Sequence, residues 1–181
     1  VYKRQVRFSY NNGNDDWWWA VDNVGVVKPL GELQGSPQAS VDVLSDVQGD
    51  PQDYKDAVRQ LNGMEDKAGA LVLNGDLVDD GSQQQWDDFL AAHSEVPHDS
   101  GKELWTIGNH EMYGKEGSKT YLDRFLKYSG QDKPWKEEVV DGVPLISVNT
   151  EFYSDILRHG KEPFQRISKE QLDWLDERLA Y

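Results

Sequence analysis

The chain has 181 residues, 37% of them hydrophobic, which is enough for one domain or for parts of two. Its 19 basic and 33 acidic side chains give a formal net charge of −14, which argues against binding to the phosphates of duplex nucleic acid. Cysteine is absent, so disulfide bonds and thiolate metal sites are excluded. No apolar run approaches the ~18 residues of a membrane-spanning helix, and we expect no membrane span. Because the chain begins at Val1 without an initiator Met or a signal peptide, we expect it to be part of a longer protein.

The N-terminal residues predict a β-hairpin and a linker. In QVRFSY, Val6, Phe8 and Tyr10 lie on one face of a period-2 strand, and the turn-rich NNGNDD separates that strand from the aromatic run WWWAVDNVGVV. We place this hairpin in residues 1–28. Residues 29–40, PLGELQGSPQAS, combine Pro, Gly and Ser, which is typical of a linker.

Apolar strands alternate with amphipathic helices from Val41 onward. Strands are predicted at 41–45, 70–74, 103–107 and 144–150. Helices are predicted after each of the first three strands, the third near 118–128, and another near the end of the chain. This alternation predicts an α/β domain with a mostly parallel sheet.

Start signals mark three of these helices. Asp50 is an N-cap candidate, with Pro51 at the first helical position. Capping boxes are predicted for the pairs Ser82–Gln85 and Ser168–Gln171.

Small polar clusters follow the first three strands at the point where each strand ends. They are Asp46 and Gln48 after the first strand, Asp76 and Asp79 after the second, and Asn109 and His110 after the third. In open α/β sheets, ligands bind outside the carboxyl ends of the strands. Oxygen donors together with imidazole suit divalent metals such as Mn, Fe or Zn, and a pair of such ions can hydrolyse a phosphate ester.

The motifs SDVQGD, NGDLVDDG and GNHE, each at a predicted strand end, resemble the first three motifs of the calcineurin-like metallophosphoesterases, D-x-H, G-D-x-x-D and G-N-H-D/E. The resemblance covers about residues 41–181, and ISKEQLDWL is similar to the helix before the family's fourth motif. It implies an α/β fold: a layered metallophosphoesterase-like sheet with flanking helices, incomplete at the C-terminus. It also implies a hydrolase that cleaves phosphomonoesters or phosphodiesters with two divalent metal ions, for which Mn, Fe and Zn are all candidates.

By motif position, the resemblance implies four metal ligands. Asp46 and Gln48 would bind one ion, Asp76 would bridge both ions, and Asn109 would bind the other. The implied substrate is a small phosphoester. Taken alone, an Asp at a strand end is more often a turn or helix N-cap residue, and Gln48 needs no ligand role as a polar loop residue.

Two further residues receive roles from the same resemblance. His110 would protonate the leaving oxygen, and Asp79 would hydrogen-bond to His110 and fix its ring. A plainer interpretation is that Asp79 and Asp80 are solvated loop carboxylates.

The chain departs from the family's motifs in three ways. Gln48 stands where the family usually has His, so it offers only a neutral amide oxygen. Asp80 stands where the family's Ser/Thr protein phosphatases carry Arg, which argues against that substrate class. The later motifs, an isolated His and a G-H-x-H, do not occur before Tyr181, and we expect them beyond that residue.

The N-terminal segment YNNGNDDWWWAVDNVGVV is similar to the closing strands of jelly-roll modules from bacterial surface and secreted proteins. This resemblance covers about residues 5–28. It implies that residues 1–28 are the C-terminal hairpin of a β-sandwich module, and that residues 41–181 are the N-terminal part of a phosphoesterase domain. A secreted or cell-surface location would follow, with a surface glycan or protein as a partner of the module.

Two functions from different classes remain open. The first is metal-dependent phosphoester hydrolysis. The alternative is a surface adhesion or sugar-binding protein whose phosphoesterase-like domain has decayed, with Gln48 as the first sign. In either case we expect residues 1–181 alone to have little activity and low solubility, because an apolar sheet face would be uncovered.

Other aromatic and histidine residues are expected to be structural. Helix and strand spacing predicts packing roles for Trp86, Trp105 and Trp174. Polar surroundings predict surface positions for His93, His98 and His159.

Overall fold

The computed structural model describes residues 39–151 and 167–180. The chain divides into two compact units, Val1–Gly31 and Glu32–Tyr181, and all described residues belong to the second. The hairpin predicted for 1–28, most of the predicted linker and His159 therefore lie outside the described residues.

Strands and helices alternate through the described ranges. The strands are β1 (Val41–Leu44), β2 (Ala70–Asn74), β3 (Glu103–Thr106), β4 (Lys136–Val140) and β5 (Val143–Ser147). The α-helices are α1 (Pro51–Asn62), α2 (Gln83–Glu95), α3 (Ser118–Ser129) and α4 (Lys169–Leu179), and a short 3₁₀ helix, η1, spans His110–Met112. Within these ranges, every helix is too short or too polar to cross a membrane.

The first three strands form a parallel sheet in the order β1, β2, β3. In the central strand, Val72 pairs with Val43 on one side and with Leu104 on the other. Helices α1 and α2 connect successive strands, which is the crossover that parallel pairing requires. The predicted α/β class, with a parallel sheet flanked by helices, is confirmed.

The main hydrophobic core joins residues of α1, α2 and α3 to β2 and β3. Trp86 of α2 is fully buried in it and stacks on Trp105 of β3 with ring centroids 6.5 Å apart. Phe89 and Phe125 meet the Trp86 ring edge-on at 6.1 and 6.4 Å. Such aromatic pairs contribute roughly 0.5–1.5 kcal/mol each beyond the burial of their area. The packing predicted for Trp86 and Trp105 is confirmed, and Trp174 is half-buried.

The apolar face that contains the Val43, Val72 and Leu104 row is covered unevenly. Leu104 in β3 is 3% exposed, whereas Val43 in β1 is 56% exposed. The β1 edge of this face is therefore open to solvent, while the low solubility expected from an uncovered face stays a prediction.

Two of the predicted N-caps form, but only the Ser168 half of the capping box predicted for Ser168–Gln171 is present, because the Gln171 side chain bonds to the main chain of Asn149. Asp50 Oδ1 accepts the main-chain N–H of Gln52 at 2.8 Å, with Pro51 at the start of α1. Ser168 Oγ accepts the main-chain N–H of Gln171 at 3.2 Å at the start of α4. Each cap satisfies one main-chain donor that the first turn of a helix leaves without a partner.

The capping box predicted for Ser82 is wrong. Ser82 is the N-cap residue of α2, but within the described residues its side chain makes no cap hydrogen bond. The main-chain N–H of Ser82 instead donates to Asp80 Oδ1 at 2.9 Å. Asp80, which sequence analysis left as a solvated carboxylate, therefore stabilises the loop before α2.

An antiparallel hairpin of β4 and β5 was not predicted. Val140 pairs with Val143 across a two-residue loop, and the loop residues Asp141 and Gly142 have φ of 50° and 79°. Positive φ at both positions is the type I′ turn that Asp-Gly favours, so the dipeptide was the signal for this hairpin. The strand predicted at 144–150 begins one residue earlier and ends at residue 147.

The surface positions predicted for His93 and His98 are wrong. His98 is 7% exposed, and its Nε2 lies 3.0 Å from Asp42 Oδ2. His93 is half-buried, with Nδ1 2.7 Å from the Tyr54 hydroxyl and Nε2 3.3 Å from Glu103 Oε2. Most of these contacts join residues that lie far apart in sequence, so local polarity could not predict them.

Candidate functional site

Three loops meet at the carboxyl ends of β1, β2 and β3. The main-chain N–H of Asp46 donates to the Gly75 carbonyl at 3.2 Å, and that of Gln48 donates to the Asp76 carbonyl at 3.2 Å. The main-chain N–H of His110 donates to Asp76 Oδ1 at 3.0 Å. Polar residues from three separate strand ends are thus brought into one site, with the loop after β2 in the middle.

Two of the candidate residues have an unusual main-chain conformation. Asp46 and Asp76 have φ of 55° and 52°, in the left-handed region. Among the described residues, the other non-glycine residue with positive φ is Asp141, which the hairpin turn explains. This conformation costs an L-residue roughly 1–2 kcal/mol. Such residues cluster at functional sites, and both positions lie where the strand-end loops meet.

The carboxylates of Asp46 and Asp76 interact unfavourably. Burial raises the pKa of Asp76 above its ordinary value, and the negative charge of Asp46 raises it further. The main-chain N–H of His110 opposes this shift by donating to the carboxylate. A cation near both carboxylates would relieve their repulsion.

Gln48 differs from the other candidates because its acceptor is buried. Its Oε1 atom has no hydrogen-bond partner among the described residues. Gln48 lines a cavity of about 100 Å³ with Tyr54 and Phe89, and with Gln85 and Asp88 of α2. A buried acceptor without a donor costs ~1–3 kcal/mol, which a water molecule or a cation would offset. The lining of this cavity includes none of the other predicted site residues, so the Gln48 side chain borders its own small space beside α2.

His110 is held by the loop that contains Asp79, but through the main chain. Its Nδ1 atom lies 2.8 Å from the carbonyl oxygen of Asp79. The predicted partner was the carboxylate of Asp79, and the hydrogen bond in the structure is made by the carbonyl instead. A carbonyl only accepts, so Nδ1 carries the hydrogen and Nε2 is left for chemistry.

Asn109 is held by a residue that sequence analysis did not consider. Its Nδ2 atom donates to the Tyr113 hydroxyl at 2.6 Å. The Tyr113 ring also packs near the His110 ring, with centroids 4.9 Å apart. Tyr113 therefore contacts the side chains of two predicted site residues.

Glu111 is the most important site residue that sequence analysis missed. Its side chain is fully buried, and its carboxylate accepts four main-chain hydrogen bonds. Oε2 accepts from Asp76 at 3.0 Å and from Gly108 at 2.5 Å. Oε1 accepts from Leu77 at 2.5 Å and from Val78 at 3.3 Å. One carboxylate thus joins the loop after β2 to the loop after β3.

The charge of Glu111 is costly to bury. Burial raises the pKa of Glu111 to about 7, and the negative charge of Asp76 adds to this, although the main-chain donors lower it. The sequence feature that could have identified Glu111 as a site residue is its position as the last residue of the GNHE motif. Its role could not be assigned from sequence, because most of its donors lie more than thirty residues earlier.

Two glycines allow the loops after β2 and β3 to approach closely. A Cβ atom on Gly108 would lie 2.2 Å from Asp76 Oδ1, and one on Gly75 would lie 2.9 Å from the main chain of Gly108. Side chains at these positions would push the loops apart. The glycines of NGD and GNHE are therefore required by packing at the site.

The donors at the site suit a divalent cation but form an incomplete shell. Two carboxylates and the amide oxygens of Gln48 and Asn109 are hard donors. In the part of the chain that the structure describes, no three His, Cys, Asp or Glu side chains are grouped to hold a metal ion. The repulsion between Asp46 and Asp76 fits a cation near both carboxylates, whereas the unsatisfied Oε1 of Gln48 belongs to a side chain that lines the separate cavity beside α2. The donors therefore suit a cation in kind, and the ligand roles predicted for Asp46, Gln48, Asp76 and Asn109 stay a prediction.

Comparison with known proteins defines the class. Residues 39–180 match the calcineurin-like phosphoesterase family, and this match covers most of the chain. The chain therefore belongs to the calcineurin-like phosphoesterases, whose members are hydrolases of phosphoesters that bind divalent metals. No curated protein matches the chain. The family resemblance of residues 41–181 is confirmed, whereas the jelly-roll resemblance of residues 5–28 stays a prediction.

Replacing Glu111 with Gln should lower the free energy of unfolding by about 2–5 kcal/mol. Each oxygen of the carboxylate accepts two main-chain N–H groups, so either orientation of the amide turns an NH2 group towards two donors. Urea unfolding followed by circular dichroism measures the change. The exposed Glu65→Gln is the matched control and should unfold like the wild type. Equal stability of both variants would show that Glu111 does not hold the loops together.

Gly108→Ala should also destabilise the protein, by about 1–3 kcal/mol, because the new methyl group overlaps Asp76. Gly63→Ala is the control, since its added Cβ would make only ordinary contacts of 3.4 Å. Thermal unfolding of the two variants side by side measures the difference. If Gly108→Ala were as stable as Gly63→Ala, the loops after β2 and β3 would have room for a methyl group between Gly108 and Asp76.

Proposed function

We propose that the chain forms part of a two-metal site that hydrolyses small phosphomonoesters or phosphodiesters. The observation that supports this most is the junction of three strand-end loops. There Asp46 and Asp76 both have a left-handed main chain, and the charge of one raises the pKa of the other. Membership of a family of metal-dependent phosphoester hydrolases supports the same reaction.

Four residues would hold the ions in this proposal. Asp46 and Gln48 bind one ion, Asp76 bridges both, and Asn109 binds the second. The ions would supply positive charge to the phosphoryl oxygens and activate the attacking water. Their identity is Mn, Fe or Zn, since the four oxygen ligands suit Mn and added imidazole ligands would suit Fe or Zn.

His110 acts as the general acid in this proposal. Hydrolysis forms a P–O bond to water and breaks the P–O bond to the leaving group, whose oxygen needs a proton. With Nδ1 donating to the carbonyl of Asp79, the protonated ring presents Nε2–H to that oxygen. Asp79 fixes the ring through its main chain, so its side chain has no direct part in this step.

The charge of the chain sets a condition for this reaction. The formal net charge of −14 repels phosphoesters from the surface. Two divalent cations would carry +4 between them and reverse the local field at Asp46 and Asp76. Substrate binding should therefore depend on metal even before any chemical step.

The proposal also covers the domain organisation and the location of the protein. Residues 1–28 end a β-sandwich module that binds a surface glycan or protein, residues 29–40 are a linker, and residues 41–181 begin the phosphoesterase domain. The protein is secreted or on the cell surface. Residues 1–181 alone have little activity, because the described residues supply part of the ligand shell.

A second function is favoured by one observation. The Gln48 side chain lines a cavity apart from the other candidate ligands and offers a neutral oxygen. A decayed phosphoesterase-like domain in a surface adhesion or sugar-binding protein would have this feature. Metal-dependent turnover by the natural full-length protein decides between the two functions.

His110→Ala should lower the rate of phosphoester hydrolysis by ~10²-fold or more in the natural full-length protein with Mn²⁺. The loss should be larger for phenyl phosphate than for p-nitrophenyl phosphate, because nitrophenolate leaves without needing a proton. Steady-state kinetics with both substrates measures the difference. An equal loss for the two leaving groups would mean that His110 is not the acid.

Gln48→His should tighten Mn²⁺ binding by roughly tenfold, about 1.4 kcal/mol, because an imidazole nitrogen is a better ligand than a neutral amide oxygen. Isothermal titration calorimetry measures the affinity. Gln60→His, on the exposed side of α1, is the control and should bind Mn²⁺ like the wild type. An unchanged affinity in Gln48→His would remove Gln48 from the proposed ligands.

A further inference from the structure

Tyr113 lies where the loop after β3 leaves the site. It follows η1 directly, and its side chain is 44% exposed. Its hydroxyl accepts the Nδ2 hydrogen of Asn109 at 2.6 Å, and its ring is 4.9 Å from the ring of His110. None of the motifs includes Tyr113, and the proposed function assigns it no role.

The main chain of Tyr113 is held on both sides. Its N–H donates to the His110 carbonyl at 3.1 Å, and its carbonyl accepts the N–H of Gly81 at 2.9 Å. The second bond ties Tyr113 to the loop between β2 and α2, which also holds His110 through the Asp79 carbonyl. The phenol is therefore carried by a fixed main chain, although the side chain reaches solvent.

The amide of Asn109 has two unlike ends. Only Oδ1 has lone pairs for a cation, whereas Nδ2 donates and needs an acceptor. A hydroxyl can accept this hydrogen, and a phenyl ring of the same shape cannot. The bond to Tyr113 therefore holds Nδ2 away from a cation and leaves Oδ1 available.

We propose that Tyr113 is a positioning residue that sets the amide orientation of Asn109 for metal binding and limits rotation of the His110 ring. This inference rests on the proposed function, since it assigns Asn109 to a divalent cation. The hydroxyl acts on Asn109 and the ring acts on His110. Different substitutions therefore separate the two effects.

The test is Mn²⁺ affinity, measured by isothermal titration calorimetry on the natural full-length protein. Tyr113→Phe removes the acceptor and keeps the ring, and it should weaken Mn²⁺ binding by about tenfold or more, as the loss of a group that orients a ligand usually does. Tyr128→Phe is the matched control, because the Tyr128 hydroxyl on α3 accepts an amide hydrogen from Gln83 at 2.5 Å. That control should bind Mn²⁺ like the wild type.

A second variant pair tests the mechanism. In an Asn109→Asp background, both carboxylate oxygens can bind a cation and no amide hydrogen needs an acceptor. Tyr113→Phe should then change Mn²⁺ affinity by less than about twofold, so the double-mutant cycle should show coupling between the two residues. Equal effects in both backgrounds would mean that Tyr113 does not act through Asn109.

The effect of the Tyr113 ring on His110 is measured separately, through kcat. Tyr113→Leu should weaken Mn²⁺ binding as much as Tyr113→Phe does, and it should additionally lower kcat because the ring beside His110 is lost. Wild-type Mn²⁺ affinity in Tyr113→Phe, together with weakened binding in Asn109→Ala, would overturn the inference and leave the proposed function intact. Absence of Mn²⁺, Fe²⁺ and Zn²⁺ binding by the wild-type protein would overturn both.

Discussion

The buried carboxylate of Glu111 holds the candidate site together. It accepts main-chain hydrogen bonds from Asp76, Leu77 and Val78 after β2 and from Gly108 after β3. Parallel strands bring these loops to one edge of the sheet, but adjacency alone does not fix their separation. The shared acceptor does so, and the absence of a side chain on Gly108 allows the close contact that results. Asp76 and His110 are thereby placed so close that the main-chain N–H of His110 donates to Asp76 Oδ1.

Several features that cost folding free energy lie close together at this site. Glu111 and Asp76 both have raised pKa values because of burial, and Asp46 adds repulsion. The main chain is left-handed at Asp46 and Asp76, and Gln48 has a buried acceptor without a donor among the described residues. Folded proteins tolerate such costs mainly where function requires them. A divalent cation near Asp46 and Asp76 would offset the repulsion between them, which agrees with the metal-dependent family to which the chain belongs.

Local signals predicted part of the structure well and failed where partners are distant. The strand at 70–74 and the caps of α1 and α4 were predicted correctly, because strand alternation and N-cap chemistry act over a few residues. The β4–β5 hairpin was missed although Asp141 and Gly142 are a strong turn signal. Surface positions were wrongly predicted for His93 and His98, since most of their partners come from other elements.

The alternation of strands and helices along the sequence was enough to predict the α/β class, and the order of the motifs was enough to predict the family, because both depend on residue type and short spacing. The ligand roles of Asp46, Gln48, Asp76 and Asn109 stay a prediction. Folding decided how the residues of the motifs are held. It placed the carbonyl of Asp79 rather than its carboxylate on His110, brought the hydroxyl of Tyr113 to Asn109, and buried Glu111 between two loops. These contacts depend on main-chain direction and on loop separation, which three-dimensional packing sets and a linear motif does not contain.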